Sequence, residues 1–512
     1  MGLIAIFGFF NFLWLLLRSG LKPSRLKYPC QQAALNNFLF SLKILAPSLA
    51  ISSSWASIQS ISKKAGTIFL IGMFISTSIS FMGTFLPREV NLELNYASQN
   101  SFGSSEIFVV NGRNVAHIDN LIELMGENGL KFYQTGSAGT TQGPSGLFNA
   151  SDVILIKNNC QWSQRGGTNT DLIKELIQIL VNHPDGFTGE IIIADNGQGR
   201  GNMDFSLHNA EDTSQSTEDV ADFFADSYNV STFLWDNINY HSVNEYENGD
   251  SINGYVKNYS TDPDTGIYIT YPKFRTTFGT NVSLKFGIWN GTEYIQPVKI
   301  INFPILKTHS GFGVTACIKH YMGVQSQGVG NGHDHIGSGG MGSLMADFGI
   351  PTLNILDAIW VNANPAPYAH CGPNTYNLEA TRINIIMASL DPIALDYWAA
   401  KHVLKQTAIL IGNSEHADTI DPDTSDKNGL SEAFGVYLNR SRDEILDAGY
   451  NVTSNEQNMT IYGETSISVD VGPTNPNTWL WVGIGGGSVF LATGVLVTVF
   501  LVRKKRQKIP PI

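Results

Sequence analysis

Residues 1–85 and 479–512 contain no aspartate and no glutamate, so all 44 acidic residues of this 512-residue chain lie between Leu86 and Thr478. Twelve of the 32 lysines and arginines lie in the two acid-free ends, leaving 20 bases against 44 acids in the middle. An acidic body of that kind argues against nucleic acid as a partner. Charged residues make up 15% of the chain, well below the usual quarter or so. Cysteine is scarce as well: four residues are too few for a disulfide scaffold.

The acid-free ends hold long apolar runs. Ala65 to Leu86, AGTIFLIGMFISTSISFMGTFL, is uncharged over 22 residues, enough to cross a hydrocarbon core of about 30 Å. Trp479 to Val502 does the same and is followed by RKKRQK, which the positive-inside rule places in the cytoplasm. Lys63-Lys64 puts the start of the first span on that same side. Leu3 to Leu17 is short for a span and has no small-residue cleavage site after it. It reads as a third helix, with an interfacial helix as the alternative. The expected layout is a membrane region over 1–86 with a basic cytoplasmic segment at 18–64, and an extracytoplasmic domain over 87–454. A stalk at 455–478, a span at 479–502 and a cytoplasmic tail at 503–512 follow. The chain is thus expected to be a multi-pass cell-membrane protein, with the lipid membrane as a partner and its main domain extracellular. Eight N-x-S/T sequons, all in the middle region, fit a glycoprotein. Only Cys160, Cys317 and Cys371 lie outside in this layout, so at most one disulfide forms among them.

Within the middle region, DVILIK (152–157), TDLIKELIQILVNH (170–183) and EIIIAD (190–195) read as strand, helix and strand, with Thr168 or Thr170 as the N-cap. EIFVVNG, GIYITYPKF, VKIINFPIL, TLNILDAIW and INIIMAS add strands; DPIALDYWAAKHVLK and SEAFGVYLNRSRDEILDAG add helices. The alternation predicts an α/β domain with a largely parallel sheet flanked by helices, its core at 150–405. Residues 200–297, rich in polar and aromatic side chains, are expected to form an inserted cap.

In open α/β sheets ligands bind beyond the carboxyl ends of the strands. Four polar loops follow strands here: KNNCQWSQRGGTNT, DNGQGRGN, KTHSGFGVT and DAIW. Lys157, Arg165, Arg200, Lys307 and Lys319 would ring an anionic ligand, and Gly311, Gly313 and Thr315 would let backbone N–H groups approach it. A strand ending at Leu306 delivers Lys307 and His309, and a helix starting near Val314 or Thr315 brings Lys319 beside them. Lys307, His309 and Lys319, with Asp357 at the end of LNIL, are the candidate catalytic groups for acid/base chemistry. In an extended GHDHIG, His333 and His335 point the same way and could share a divalent metal with His309 or His370. A solvated glycine loop is the alternative. Asp391, before Pro392, reads as a helix N-cap. Cys371, beside His370, is either a thiolate or a disulfide partner.

SDVILIKNN with GGTNTDLIKELIQIL, then NFPILKTHSGFGVTACIKHYMG, HDHIGSGGMGSLMADF with TLNILDAI, and DPIALDYWAAKHVL occur in the order seen in the domain-of-unknown-function 362 family. The chain resembles that family over roughly residues 150–405. The Lys-Thr-His block carries most of the likeness. The resemblance implies no particular activity. Many members of the family bear ferredoxin-type cysteine clusters; this chain has no C-x-x-C-x-x-C, so no iron-sulfur cluster is expected. It also has His320 where the family usually has asparagine. Two functions are therefore expected in turn: an enzyme acting on a small anionic metabolite, or a surface module that binds such a ligand without chemistry.

The topology makes a measurable statement about Cys30, which falls in the basic cytoplasmic segment. A membrane-impermeant thiol reagent should leave Cys30 unlabelled in sealed cells and label it after permeabilisation. Efficient labelling in sealed cells overturns the three-span layout.

Overall fold

The strands that read as near-continuous apolar runs are buried on both faces, as such runs require. In Val153–Asn158, Val153 and Leu155 join one hydrophobic cluster while Ile154 and Ile156 join the other. Ile191 and Ile193 alternate with Ile192 and Ala194 in the same way. The computed structural model describes residues 88–93, 105–111, 117–162, 164–198, 205, 214–367, 380–464 and 466–471. The candidate spans, Cys30, Arg200, His370 and Cys371 lie outside the described residues. Among the described residues no helix is long and apolar enough to cross a membrane.

Ten strands form the central sheet: β1 (Ser105–Asn111), β2 (Val153–Asn158), β3 (Glu190–Asp195), β4 (Asn229–Leu234), β5 (Lys299–Phe303), β6 (Ile305–His309), β7 (Gly313–Thr315), β8 (Leu353–Asn362), β9 (Ala380–Ser389) and β10 (Met459–Gly463). Their order is β10-β1-β9-β8-β5-β2-β3-β4, with β6 also beside β8 and β7 beside β6. The block β8-β5-β2-β3-β4 is parallel. β9 runs antiparallel to both β8 and β1, and β7 antiparallel to β6. The sheet is therefore mixed, which corrects the largely parallel expectation. Strand composition does not encode direction, and an antiparallel neighbour needs no helical crossover.

Helices α1 (His117–Glu127), α2 (Thr170–Val181) and α3 (Thr217–Ala225) cover one face through Leu121, Leu172, Leu176 and Val220. The helix α2 starts at neither threonine: Asn169 is its N-cap, and its side chain accepts the Asp171 N–H. The other face carries α4 (Cys317–His320), α5 (Gly340–Phe348), α6 (Pro392–Trp398) and α7 (Phe434–Asp447), together with a six-stranded, mostly antiparallel sheet over 242–296. Tyr255, Phe274 and Val282 of that second sheet join the same cluster as Leu155. Residues 200–297 are thus not one insertion, because α3 and β4 extend the core sheet and only the later part covers it.

The expected stalk is partly core as well. β10 pairs in parallel with β1, and Ser466–Val471 pairs antiparallel with Arg88–Glu93. Met459 and Ile461 are buried in the cluster that holds α6 and α7. Ile461→Ala should therefore cost about 2 to 4 kcal/mol in urea unfolding of the full chain, the usual penalty of a buried truncation. A stalk residue would give no measurable change.

Candidate functional site

Pro304 sets the site's position. β5 lies between β2 and β8, but after Pro304, which has no N–H to donate, the chain continues beside β8 alone. The Pro304 carbonyl accepts the Asp357 N–H at 2.9 Å. β6 then turns back through Gly313 into β7, with Lys307 opposite Thr315 on one side and Asn362 of β8 on the other. Gly313 has φ +75°, and a Cβ there would lie 2.2 Å from the Thr419 carbonyl oxygen, so only glycine fits this turn. The expected helix at 314 or 315 is instead strand β7 followed by the four-residue α4.

That short helix is held by Asp396 of α6. The N–H groups of Cys317 and Ile318 donate to its two carboxylate oxygens at 2.7 and 2.9 Å. Burial raises the Asp396 carboxyl to about 7, against the pull of those two donors. Asp391 is the N-cap of α6 as expected, with Oδ1 accepting from Ile393 and Ala394 N–H at 2.8 and 3.0 Å.

His320, on α4, is buried at the centre of the basic cluster. Its Nε2 lies 3.0 Å from the Asn158 carbonyl and its Nδ1 2.7 Å from Asn302 Oδ1. Burial, then the ammonium groups of Lys157, Lys307 and Lys319, push this imidazole well below its ordinary range, while the Asn158 carbonyl pulls the other way. The three lysines from β2, β6 and α4 thus act on one ring. Lys157 is neutralised by Asp195 at 2.6 Å, a pair in which both side chains are at most 3% exposed. Asp195 also accepts the Cys160 N–H at 2.8 Å. Gly323 packs on this pair, and a Cβ there would meet Asp195 Oδ1 at 2.4 Å and Lys157 Nζ at 2.6 Å. Burial and Asp195 push the Cys160 thiol well above its ordinary range. Cys160 and Cys317 are both free and buried.

Lys307 donates to the Gly166 carbonyl at 3.2 Å. His309 and Lys319 flank Phe312, the His309 ring at 5.6 Å between centroids and the Lys319 ammonium at 6.0 Å from the ring centroid. The Gly311 N–H donates to His309 Nδ1 at 3.0 Å. Arg165, beside Gly166, lies over Trp360 at 3.5 Å. Lys157, Lys307, His309 and Lys319 are therefore brought together, with Arg165, Gly311, Gly313 and Thr315 around them. Four buried side-chain atoms here have no hydrogen-bond partner: Asn158 Oδ1, Asn159 Oδ1, Thr315 Oγ1 and Asn362 Nδ2. Orphaned polar atoms of this kind are rare in folded proteins and point to a ligand or water.

Asp357 does something else. Its carboxylate accepts the Asn169 and Ile359 N–H groups at 2.9 and 3.0 Å, tying the start of α2 to β8. The extended segment expected to carry the two metal-ligand histidines is also corrected. Gly332–His335 is a helical turn, not an extended segment, so His333 and His335 diverge. His333 Nδ1 meets Gln327 Oε1 at 3.0 Å and His335 Nδ1 meets the Thr265 carbonyl at 2.7 Å. Among the described residues no three His, Cys, Asp or Glu could hold a metal ion together. Sequence reasoning missed Asp195, Asn302, His320 and Asp396. The carboxylate and the asparagine end core strands, a position that could have flagged them; the pairing of Asp396 with α4, 78 residues away, had no sequence signal.

Two open clefts, of about 370 and 630 Å³, lie away from this cluster. The larger is lined by Tyr397, Lys401, Asp423 and Glu456, where Lys401 is already spanned by Asp423 at 2.9 Å and Glu456 at 2.7 Å. Chemistry, not volume, singles out the lysine cluster.

These features define a mixed α/β protein with a buried basic site where parallel strands end. Residues 288–401 match the model of the family described as Domain of unknown function (DUF362). The matched segment holds β5 to β9 with Lys307, Lys319, His320 and Asp396; Lys157 and Asp195 come from outside it. No curated protein and no solved structure matches the chain.

Asp396 yields a test by pH. Its pKa is raised on folding, so its contribution to stability is complete below 3.8 and is lost as pH rises through about 7. The stability of the wild type relative to Asp396→Asn should therefore fall steadily between pH 4 and 7 in chemical denaturation. A pH-independent difference means that Asp396 is not the buried acid described.

Proposed function

We propose that the domain binds a small carboxylate- or phosphate-bearing metabolite, with Lys307 and Lys319 as its principal contacts and Arg165 at the rim. The observation that carries this reading is the convergence of three lysines on His320, with Thr315 Oγ1 and Asn362 Nδ2 unpartnered on either side of Lys307. Buried cations are costly unless an anion or hydrogen bonds compensate them. A dianion beside Lys307 and Lys319 would offset the crowding of positive charge around His320 and engage the threonine hydroxyl and asparagine amide. The domain is read as facing outward from the membrane, held by the apolar segments at 65–86 and 479–502.

Binding without chemistry is the reading favoured here, because Asp357 is committed to backbone donors and His309 Nδ1 to Gly311. An enzyme is the second reading, favoured by an acid/base group, His309, and an ammonium, Lys319, that both border Phe312.

Lys307→Ala and Lys319→Ala should each weaken protection of the full chain by citrate or inorganic phosphate in thermal unfolding. The expected loss is about 1.5 to 3 kcal/mol of binding, the worth of one charged hydrogen bond. Wild-type protection in both variants means that the site lies elsewhere.

A further inference from the structure

The hydrogen bonds around His320 do not fit a neutral ring. Both of its nitrogens face oxygen: Nε2 the main-chain carbonyl of Asn158 at 3.0 Å, Nδ1 the side chain of Asn302 at 2.7 Å. The Asn302 amide is not free to turn its NH₂ toward the ring. Its Nδ2 donates to the Cys317 carbonyl at 3.2 Å and to Asn354 Oδ1 at 3.0 Å. Asn354 is fixed in turn, since its Nδ2 donates to the Ser389 carbonyl at 3.3 Å. Reversing Asn302 would set its oxygen against two others, and reversing both amides would set the Asn354 oxygen against a carbonyl that cannot donate. A neutral imidazole carries one N–H, so either tautomer leaves a ring lone pair facing an oxygen at hydrogen-bond distance. An imidazolium, with two donors, satisfies both.

The charges around the ring oppose that state. Lys307 on β6 and Lys319 on α4 act on it, and so does Lys157 on β2, whose charge is offset by Asp195 on β3. Asp396 on α6 meets the first turn of α4 through the Cys317 and Ile318 N–H groups. From β5 the ring meets only the neutral Asn302. Hydrogen-bond geometry thus asks for a proton that the local positive charge repels, and an anion beside Lys307 and Lys319 would remove the repulsion.

We infer that the anion binds together with one proton, taken from solvent by the bare ring nitrogen of His320, so that His320 makes binding dependent on pH. This rests on the anion-binding reading above. Nothing is transferred to the ligand: one N–H bond forms on the imidazole, the proton coming from water or buffer. By linkage, affinity for an anion of fixed charge should fall about tenfold per pH unit once the free ring is neutral.

The experiment is titration calorimetry of the purified full chain with sulfate and with oxalate, whose charges stay constant between pH 6 and 8. Buffers of different ionisation enthalpy report the protons exchanged. The expected result is uptake of close to one proton per anion, and affinity falling about tenfold for each pH unit. His320→Gln should still bind the anion, with no proton uptake and a flat pH profile. Binding without proton uptake, or uptake unchanged in His320→Gln, overturns the coupling and leaves the anion site standing. If neither anion binds the wild type at any pH, the anion site itself fails. If His320→Gln does not fold, the proton count and pH slope of the wild type decide alone.

Discussion

The contact on which the site depends is the capping of a four-residue helix by a buried carboxylate. A helix as short as α4 does not form on its own, since nucleation costs more than one turn of hydrogen bonds returns. Asp396 takes both of its leading N–H groups, and Val314 offers its carbonyl to the Tyr437 hydroxyl at 2.8 Å just before it. α6 and α7 therefore act as a mould for the segment that delivers Lys319 and His320. The requirement for a buried acceptor explains why Asp396 tolerates a carboxyl shifted to about 7.

Positive charge is concentrated in the interior of an acidic domain, and the structure handles its three lysines differently. Lys157 has a full carboxylate partner and a glycine cut to make room for the pair. Lys307 is met by a neutral carbonyl, and Lys319 approaches an aromatic face. All three side chains are buried.

The layers around the sheet follow from the same economy of polar groups. One face is closed by α1, α2 and α3 around a hydrophobic cluster. The other carries Asn302 and Asn354, registered neighbours on β5 and β8, whose amides join β9 to His320. A polar ladder inside a core is stable only when each member finds partners, and here the ladder is satisfied up to its last member.

Much of this was legible in the chain. Runs such as EIIIAD and TLNILDAI had to be two-sided core strands, because their side chains have no polar face to offer water. The Lys-Thr-His block was expected just beyond a strand ending at Leu306, whereas β6 runs through it to His309. Asp391 before Pro392 had to cap a helix. Strand direction, the core role of β10, and the helical turn at 332–335 were not legible, because each depends on a neighbour distant in sequence. The same holds for the site. Sequence determined which basic residues stand near strand ends, since periodicity and turns act locally. Tertiary structure alone decided that Asp195 would claim Lys157, that Asp396 would hold α4, and that Asn302 would face His320. Hydrogen bonds and charge pairs act through a few ångströms of space, and the residues they join are 38, 79 and 18 positions apart along the chain.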